Sequence, residues 1–316
     1  MNTLDQLLAL NEELRRLKSE GRRTVAVSEE SVALLRAALA DDPVADSAPA
    51  GEPAPAFAMA EEPVRAAFRP SAPAPVAPAA PAAPAVPLAA AQFTLPEGDK
   101  LARWQALREI VLNDPTCAAK VYPGKKIVFG VGSLDASIMF VGEAPGGDEE
   151  DLGEPFVGRA GQLLNRMIKA MGLERSQVYI GNILNWRPAM PGPRNPDGSQ
   201  TGNRPPTAEE MAYCLPFIRA QIAIVQPKVL VALGKTAVDG LLGADRFKSM
   251  GAARGTWHEY AGTPLRASYH PSYLLRQEGL VSAAAKKIKR DAWEDLLAVM
   301  ERAALPVSEK QRNYFL

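Results

Sequence analysis

Three polar residues of different chemistry each follow a short apolar run in this chain: Glu143, Asn182 and His270. A carboxylate can orient water or stabilise a cation, and a carboxamide offers a donor and an acceptor together. An imidazole can donate a hydrogen bond to a developing negative charge. A fourth apolar run ends at Gly234-Lys235. These residue types could together perform acid–base and anion-stabilising chemistry, provided that the fold brings them to one place.

The elements that must position them follow an α/β pattern. Apolar, β-branched runs alternate with helical patterns, which is typical of a mostly parallel sheet covered by helices on both faces. We predict strands at 127–129, 138–141, 178–180, 229–233 and 265–268, and helices at 101–112, 162–171, 207–225, 235–242 and 286–303. In such a sheet the carboxyl ends of the parallel strands share one edge, so the polar residues should line one crevice. The predicted fold is a three-layer αβα domain with a central, mostly parallel sheet.

Composition divides the chain into three parts. Residues 1–40 have helical periodicity and predict a short helical segment, which could bind a protein partner. Residues 41–94 are rich in Pro and Ala, and 13 of the 28 prolines lie between Pro43 and Pro96. Such a composition predicts a disordered linker, because proline interrupts both helix and sheet hydrogen bonding. Residues 95–316 form the predicted catalytic domain, which we expect to be monomeric.

Charge and cysteine content narrow the class of protein. The net charge is zero, but residues 1–96 carry −4 and the remainder +4, which weakly favours a polyanionic partner for the catalytic part. We expect no membrane association, since no apolar run approaches the ~20 residues of a membrane span. Cys117 and Cys214 are the only cysteines, and without a signal peptide they predict free thiols in a cytoplasmic protein.

Two Gly-containing segments superficially suggest nucleotide binding. Gly234-Lys235-Thr236 looks like the end of a P-loop, but the glycine that a P-loop requires earlier would fall at Val229. Gly130-Val131-Gly132 would need its third glycine at Asp135. Both are interpreted as ordinary turns.

A set of longer motifs is specific enough to indicate a family. Gly142-Glu143-Ala144-Pro145-Gly146 is followed by Pro155 to Leu164, and Val178 to Asn182, Gly202-Asn203-Arg204 and His270 to Arg276 come after it in order. In this order the motifs resemble those of the uracil-DNA glycosylase superfamily, and within it the family 4 (iron–sulphur) branch. The resemblance spans roughly residues 101–293.

The resemblance implies a DNA glycosylase that hydrolyses the N-glycosidic bond of uracil and leaves an abasic site for base-excision repair. Such an enzyme extrudes the base and holds it by stacking and by its hydrogen-bonding edge. Gly142, Phe156 and Asn182 are the implied base-binding residues: Phe156 stacks, and Asn182 pairs with N3–H and O4. The alternatives are a core phenylalanine for Phe156 and a strand-end cap for Asn182.

The implied catalytic residues are His270, Glu143 and Glu149. His270 would donate to uracil O2, where negative charge grows as the bond breaks; the alternative is a histidine that caps the His-Pro turn. Glu143 would orient water or stabilise an oxocarbenium-like sugar, and Glu149 is the second candidate. His258 matches no motif.

The last motif is the implied DNA contact. Leu274, Leu275 and Arg276 follow His270 on a predicted loop, where an apolar side chain could fill the gap left by a flipped base. Ser272 could hold a phosphate. We expect no strand cleavage, because no lysine is placed to form a Schiff base.

The chain departs from the family 4 pattern at the cluster ligands. The early Cys-x-x-Cys pair reads Asp114-Pro115-Thr116-Cys117, and the third ligand position is Trp186. Only Cys117 and Cys214 remain of the four ligands that a 4Fe-4S cluster needs. We therefore predict no cluster and no other metal, with Trp186 filling the space and the two cysteines lying close together.

Three further departures affect substrate choice. Ala144 stands where the most efficient branch has an aspartate, and Gly146 where that branch has a tyrosine that screens out thymine. A Pro- and Gly-rich insertion at 189–201 adjoins the expected pocket. Bases other than uracil are therefore conceivable substrates, and a non-catalytic DNA-binding relative that keeps the fold is the alternative function.

Overall fold

The computed structural model describes residues 89–192, 194–195, 198–278 and 282–315. The predicted N-terminal helical segment and nearly all of the predicted linker lie outside these residues. Within them, the last residues of the predicted linker already pack onto the domain. The ring of Phe93 stacks on that of Phe217 at a centroid distance of 5.3 Å, and the amide of Ala91 donates to the carbonyl of Tyr213. The prediction that residues 95–316 form the catalytic domain stays a prediction.

The described chain forms a six-stranded sheet surrounded by helices. The strands are β1 (Val131–Gly132), β2 (Ile138–Gly142), β3 (Tyr179–Asn182), β4 (Val229–Leu233), β5 (Trp257–Tyr260) and β6 (Thr263–Ser268). The helices are α1 (Lys100–Leu112), α2 (Pro115–Lys120), α3 (Gly147–Leu152), α4 (Arg159–Ala170), α5 (Ala208–Val225), α6 (Lys235–Leu242), α7 (Met250–Ala253), α8 (Pro271–Arg276), α9 (Ala283–Arg302) and α10 (Glu309–Arg312). Residues Arg175–Gln177 form a 3-10 turn.

The sheet is parallel at its centre and antiparallel at its edges. Its order is β1-β3-β2-β4-β6-β5, in which β3, β2, β4 and β6 are parallel and the two edge strands are antiparallel. Side chains of the central strands alternate between two apolar cores, as the twofold period of a strand requires. One core packs against α1, α5 and α6, and the other against α4 and α9. The predicted three-layer αβα fold is confirmed.

One predicted strand is wrong and several elements were not predicted. Residues 127–129 form no strand, because Val128 pairs irregularly with Asn185: its amide donates to the Asn185 carbonyl, and its carbonyl accepts from Asn185 Nδ2. The edge strands β1 and β5 were missed, since β1 has two residues and β5 is half exposed. No described helix is long and apolar enough to cross a membrane.

Candidate active site

A cavity of about 660 Å³ opens at the carboxyl edge of the parallel strands. It is lined by the segments that follow β2, β3, β4 and β6, as the strand-end argument predicted. Eight of the predicted site residues line it: Glu143, Glu149, Phe156, Asn182, His270, Ser272, Leu275 and Arg276. Gly142 lies directly behind the Phe156 ring and the Asn182 amide. The fold therefore collects the three strand-end side chains that the sequence placed apart.

Asn182 ends β3 opposite Gly142, the last residue of β2. The side chain of Asn182 is buried, and its Oδ1 has no hydrogen-bond partner among the described residues. A Cβ at position 142 would lie 2.5 Å from that oxygen and 2.4 Å from Cζ of Phe156. Glycine is therefore required at 142, because only a residue without a side chain lets the amide and the ring approach the strand. A buried acceptor without a partner costs free energy unless a ligand donates a hydrogen bond to it.

Phe156 is held in a backbone conformation that few residues other than glycine adopt, with φ at +54°. The guanidinium of Arg175 fixes it by donating to the carbonyls of Phe156 at 3.1 Å and Pro155 at 2.6 Å. A Cβ at Gly161 would lie 1.9 Å from the Phe156 carbonyl oxygen, so α4 packs directly on this backbone. Strained residues of this kind concentrate at functional sites, where surrounding contacts stabilise them.

Glu149 holds the two Gly-rich segments together. One carboxylate oxygen accepts from the amide of Gly146 at 2.9 Å, and the other from the amides of Val157 and Gly158 at 3.0 Å each. These bonds favour a positioning role for Glu149 over the acid–base role that the sequence suggested. A Cβ at Gly146 would lie 2.6 Å from Glu149 Oε2, so this carboxylate occupies the position that a side chain at 146 would take, while Gly146 itself lines the cavity.

Glu143 is the partly buried carboxylate of the cavity. The backbone around it is fixed, because its carbonyl accepts from the amide of Leu184 at 3.0 Å. Its Oε2 accepts a hydrogen bond from the hydroxyl of Thr236 in the first turn of α6. Burial raises the pKa of Glu143, and the bond from Thr236 opposes that rise. Glu143 is thus a carboxyl group whose pKa is raised by burial and lowered by one neighbouring hydroxyl.

His270 is the N-cap of α8, and its ring has a defined tautomer. Nδ1 accepts from the backbone amide of Ser272 at 3.1 Å, and the Ser272 hydroxyl lies 2.8 Å from the same nitrogen. Since a backbone amide can only donate, the proton of the neutral ring must be on Nε2. Burial, assisted by the charge of Arg276, lowers the pKa of His270 to about 4. The ring is therefore a neutral donor at neutral pH.

The last motif forms the short helix α8, where a loop was predicted. Proline at its first position and the His270 cap favour this helix, because both suit a helix N-terminus. Leu275 and Arg276 line the cavity, whereas Leu274 is buried in a separate apolar groove with Leu163 and Met167. Leu275 is consequently the one of the two leucines that faces the cavity.

The insertion at 189–201 is tied to the domain by a buried ion cluster. Glu150 accepts from Arg187 at 2.9 Å and from Arg194 at 3.0 Å. Arg187 also bonds the side chain of Asn203, which lines the cavity. The described part of the insertion is therefore fixed beside the cavity wall.

The positions that would hold an iron–sulphur cluster lie together but do not fit one. The carboxylate of Asp114 accepts from the amide of Cys117 at 2.7 Å and from the hydroxyl of Tyr213 at 2.8 Å. A hydrogen bond with Cys214 and burial raise the pKa of Cys117, and these two thiols are only half of the four ligands that a cluster needs. Trp186 is fully buried, at 6.2 Å from the Tyr213 ring. Among the described residues, no group of three or more His, Cys, Asp or Glu side chains could hold a metal.

Comparisons with known proteins agree with this site. The model of the "Uracil DNA glycosylase superfamily" matches residues 129–297, which is more than half of the chain. The chain belongs to this superfamily. The "Type-4 uracil-DNA glycosylase" of Thermotoga maritima is 39% identical over 171 residues, covering 54% of this chain and 79% of the relative. The matched part of the chain includes every residue that lines the cavity.

The uracil-DNA glycosylase relatives also distinguish between branches of the superfamily. A "Type-4 uracil-DNA glycosylase" of Pyrobaculum aerophilum is 35% identical over 182 residues, which cover 56% of this chain and 86% of that protein. A "Type-5 uracil-DNA glycosylase" of the same organism is 30% identical over 190 residues, covering 55% of this chain and 73% of that protein. The predicted kinship with the family 4 branch is confirmed.

The sequence missed three residues that shape this site: Thr236, Arg175 and Gly161. Arg175 and Gly161 hold the Phe156 backbone, and Thr236 bonds Glu143. Gly161 lies within a quoted motif, but its contact with Phe156 is visible only in three dimensions. The available signal for Thr236 was its place just beyond the end of β4, on the same edge as Glu143 and His270.

Proposed function

We propose that this protein is a monofunctional DNA glycosylase that removes uracil from DNA in base-excision repair. The observation that carries the proposal is the buried, unpaired Oδ1 of Asn182 in a cavity that also contains an aromatic ring and a neutral imidazole. An acceptor of this kind matches the N3–H of uracil, and the Nδ2 group of the same amide can donate to O4. The type-4 and type-5 relatives, which are named as uracil-DNA glycosylases, support the same substrate.

The reaction would proceed by hydrolysis of the bond between the sugar C1′ and the base N1. As this bond breaks, its electron pair passes to the base, and negative charge grows at O2. His270, with its proton on Nε2, is suited to donate to that oxygen while Phe156 stacks on the ring. The carboxylate of Glu143 would stabilise the cationic sugar and orient the water that adds to C1′. The products are free uracil and an abasic site.

Strand cleavage is not part of the proposal. A glycosylase that cuts the strand uses an amine to form a Schiff base with the sugar. Lys235 is the lysine among the described cavity residues, and its Nζ is paired with both carboxylate oxygens of Asp239 at 2.7 Å. An ammonium group stabilised in this way is a poor nucleophile.

DNA would approach the mouth of the cavity. Arg159 and Arg276 supply positive charge there, and Leu275 is placed to fill the gap left by the extruded nucleotide. Ser272 would act mainly through His270, since its hydroxyl already contacts Nδ1. Cytoplasmic location, a monomeric catalytic domain and a protein partner for residues 1–40 stay predictions.

We further propose that the domain folds without an iron–sulphur cluster. The bond between Tyr213 and Asp114 and the buried indole of Trp186 would together replace the metal cross-link. Anaerobically purified protein should then lack the visible absorbance of a cluster. A full complement of iron and sulphide would contradict this part of the proposal.

The substrate is tested with single- and double-stranded oligonucleotides that carry uracil, hypoxanthine or xanthine. We expect uracil to be released fastest, with strands that break only after alkaline treatment of the abasic site. Faster release of either purine would assign the site to a sister activity. Failure to release any base, combined with DNA binding, would leave the non-catalytic relative as the function.

A further inference from the structure

The turn Gly234-Lys235-Thr236 lies between the two proposed catalytic groups. A Cβ at Gly234 would lie 3.0 Å from Cβ of His270, so the turn packs against that residue. On its other side, the hydroxyl of Thr236 donates to Oε2 of Glu143. The turn Gly234-Lys235-Thr236, which does not match a P-loop, thus contacts both His270 and Glu143.

The backbone holds this turn in one position. Gly234 has φ at +90°, a conformation that glycine adopts without strain, and it caps the N-terminus of α6. Its amide donates to the carbonyl of Ser268 at 2.9 Å, which ties the end of β4 to the end of β6. Thr236 is the second residue of α6, so the placement of its hydroxyl is determined by the helix and by two strand ends.

We infer that Thr236 is a positioning residue that holds the Glu143 carboxylate in place and aims it at the reacting sugar. The inference rests on the proposed function, because it assigns a role to the partner of Glu143. It deepens that proposal by naming Thr236 as the residue that positions the Glu143 carboxylate for its role in hydrolysis. No motif of the glycosylase resemblance included Thr236.

The direction of the effect follows from the surroundings of Glu143. Burial raises the pKa of Glu143 because a charged carboxylate loses hydration, and the Thr236 hydroxyl lowers it by bonding the charged form. Removing the hydroxyl therefore raises the pKa further, so that the carboxylate is protonated at a higher pH. The other charged or titratable groups of the cavity are Asp148, Glu149, Arg159, Arg204, Lys235, His270, Tyr273 and Arg276.

Several of these groups already have partners. Glu149 is bonded by backbone amides, Arg204 is paired with Glu210, and Lys235 is paired with Asp239. Burial and the Thr236 bond are the two causes that act on the pKa of Glu143. The pKa of His270 is lowered to about 4, so its ring changes charge only in strongly acidic solution. A shift of the acid limb that follows the loss of the Thr236 hydroxyl would therefore report Glu143.

The test is the pH dependence of single-turnover uracil release in the full-length protein. Thr236→Val preserves the shape of the side chain and removes its hydroxyl, whereas Thr236→Ser keeps the hydroxyl. Thr256→Val, at the residue before the edge strand β5, controls for the change of residue type. We expect Thr236→Val to move the acid limb of the pH–rate profile to higher pH. On that limb, the variant should release uracil about tenfold more slowly than the wild type at the same pH. Thr236→Ser and Thr256→Val should keep the wild-type limb.

The Glu143→Gln background separates the possible outcomes. If Thr236 acts through Glu143, Thr236→Val should have no further effect on the rate in that background. An unchanged limb in Thr236→Val, together with slow release by Glu143→Gln, would overturn the inference and leave the proposed function standing. Absence of uracil release by the wild-type protein would overturn both.

Discussion

The ring of Phe156 lies 5.6 Å from the ring of His270, centroid to centroid, at an interplanar angle of 32°. One ring comes from the loop before α4 and the other from the cap of α8, yet both meet at the same cavity. A base stacked on Phe156 would therefore bring its edge alongside the imidazole. In the proposed function, this arrangement would place stacking on Phe156 next to charge stabilisation by His270, and it leads to the following predictions.

His270→Ala should slow uracil release by about 10² to 10³, because it removes a preorganised donor to the developing negative charge. The rate of the chemical step is measured in single-turnover assays. His258→Ala is the matched control, since His258 lies on β5, where its Nε2 is 2.6 Å from the Ala253 carbonyl. Equal rates in the two variants would exclude the proposed role of His270.

Gly142→Ala should abolish base binding while leaving the fold largely intact. The new Cβ would lie within 2.5 Å of both the Phe156 ring and Asn182 Oδ1, so that one of the two must move. Binding of a uracil-containing oligonucleotide and circular dichroism are measured together. Gly251→Ala is the control, because the nearest atom to its Cβ would be Ser249 Oγ at 3.7 Å. A Gly142→Ala variant that binds the oligonucleotide as tightly as the wild type would contradict the described geometry.

Arg175→Ala should weaken base stacking more than it weakens the fold. Without the guanidinium, the Phe156 backbone is free to leave its positive-φ conformation, which costs about 1–3 kcal/mol to maintain. We expect a raised KM and a smaller change in kcat, measured by steady-state kinetics. Arg166→Ala on the exposed face of α4 removes a surface pair with Glu278 and should leave both parameters unchanged.

Tyr213→Phe should lower the free energy of unfolding by about 1–3 kcal/mol, because it leaves the buried side of Asp114 without its hydroxyl donor. Urea unfolding measures this change. Tyr122→Phe, at a partly exposed ring, should have a much smaller effect. If chelation of iron destabilised the wild-type protein more than Tyr213→Phe does, the cluster-free account of this region would fail.

The central sheet was predictable because its parallel strands are buried on both faces and therefore read as continuous apolar runs. The edge strands β1 and β5 were not predictable, since neither has a continuous apolar run. Residues 127–129 do have an apolar run, but Val128 pairs irregularly with Asn185 and no strand forms. Short helices such as α8 were missed because six residues give little periodicity.

The site was predictable for the functional residues that lie at the ends of the parallel strands. Glu143, Asn182 and His270 each follow a parallel strand, so topology alone brings them together. The roles of Thr236 and Arg175 depend on contacts between residues that are distant in sequence. The place of Thr236 just beyond the end of β4 was the available signal for it, whereas the local sequence of Arg175 carries none. Leu274 and Leu275 are adjacent, and only the helical turn decides which of them lines the cavity.

The most direct test of the account is uracil release by Asn182→Ala compared with the wild-type protein under single-turnover conditions. The wild-type protein should release free uracil, and the variant should release it at least about 10² times more slowly, since the base would lose both hydrogen bonds to the amide. The variant should remain as stable as the wild type, because it removes a buried oxygen that has no partner. Equal rates in the two proteins would contradict the central claim.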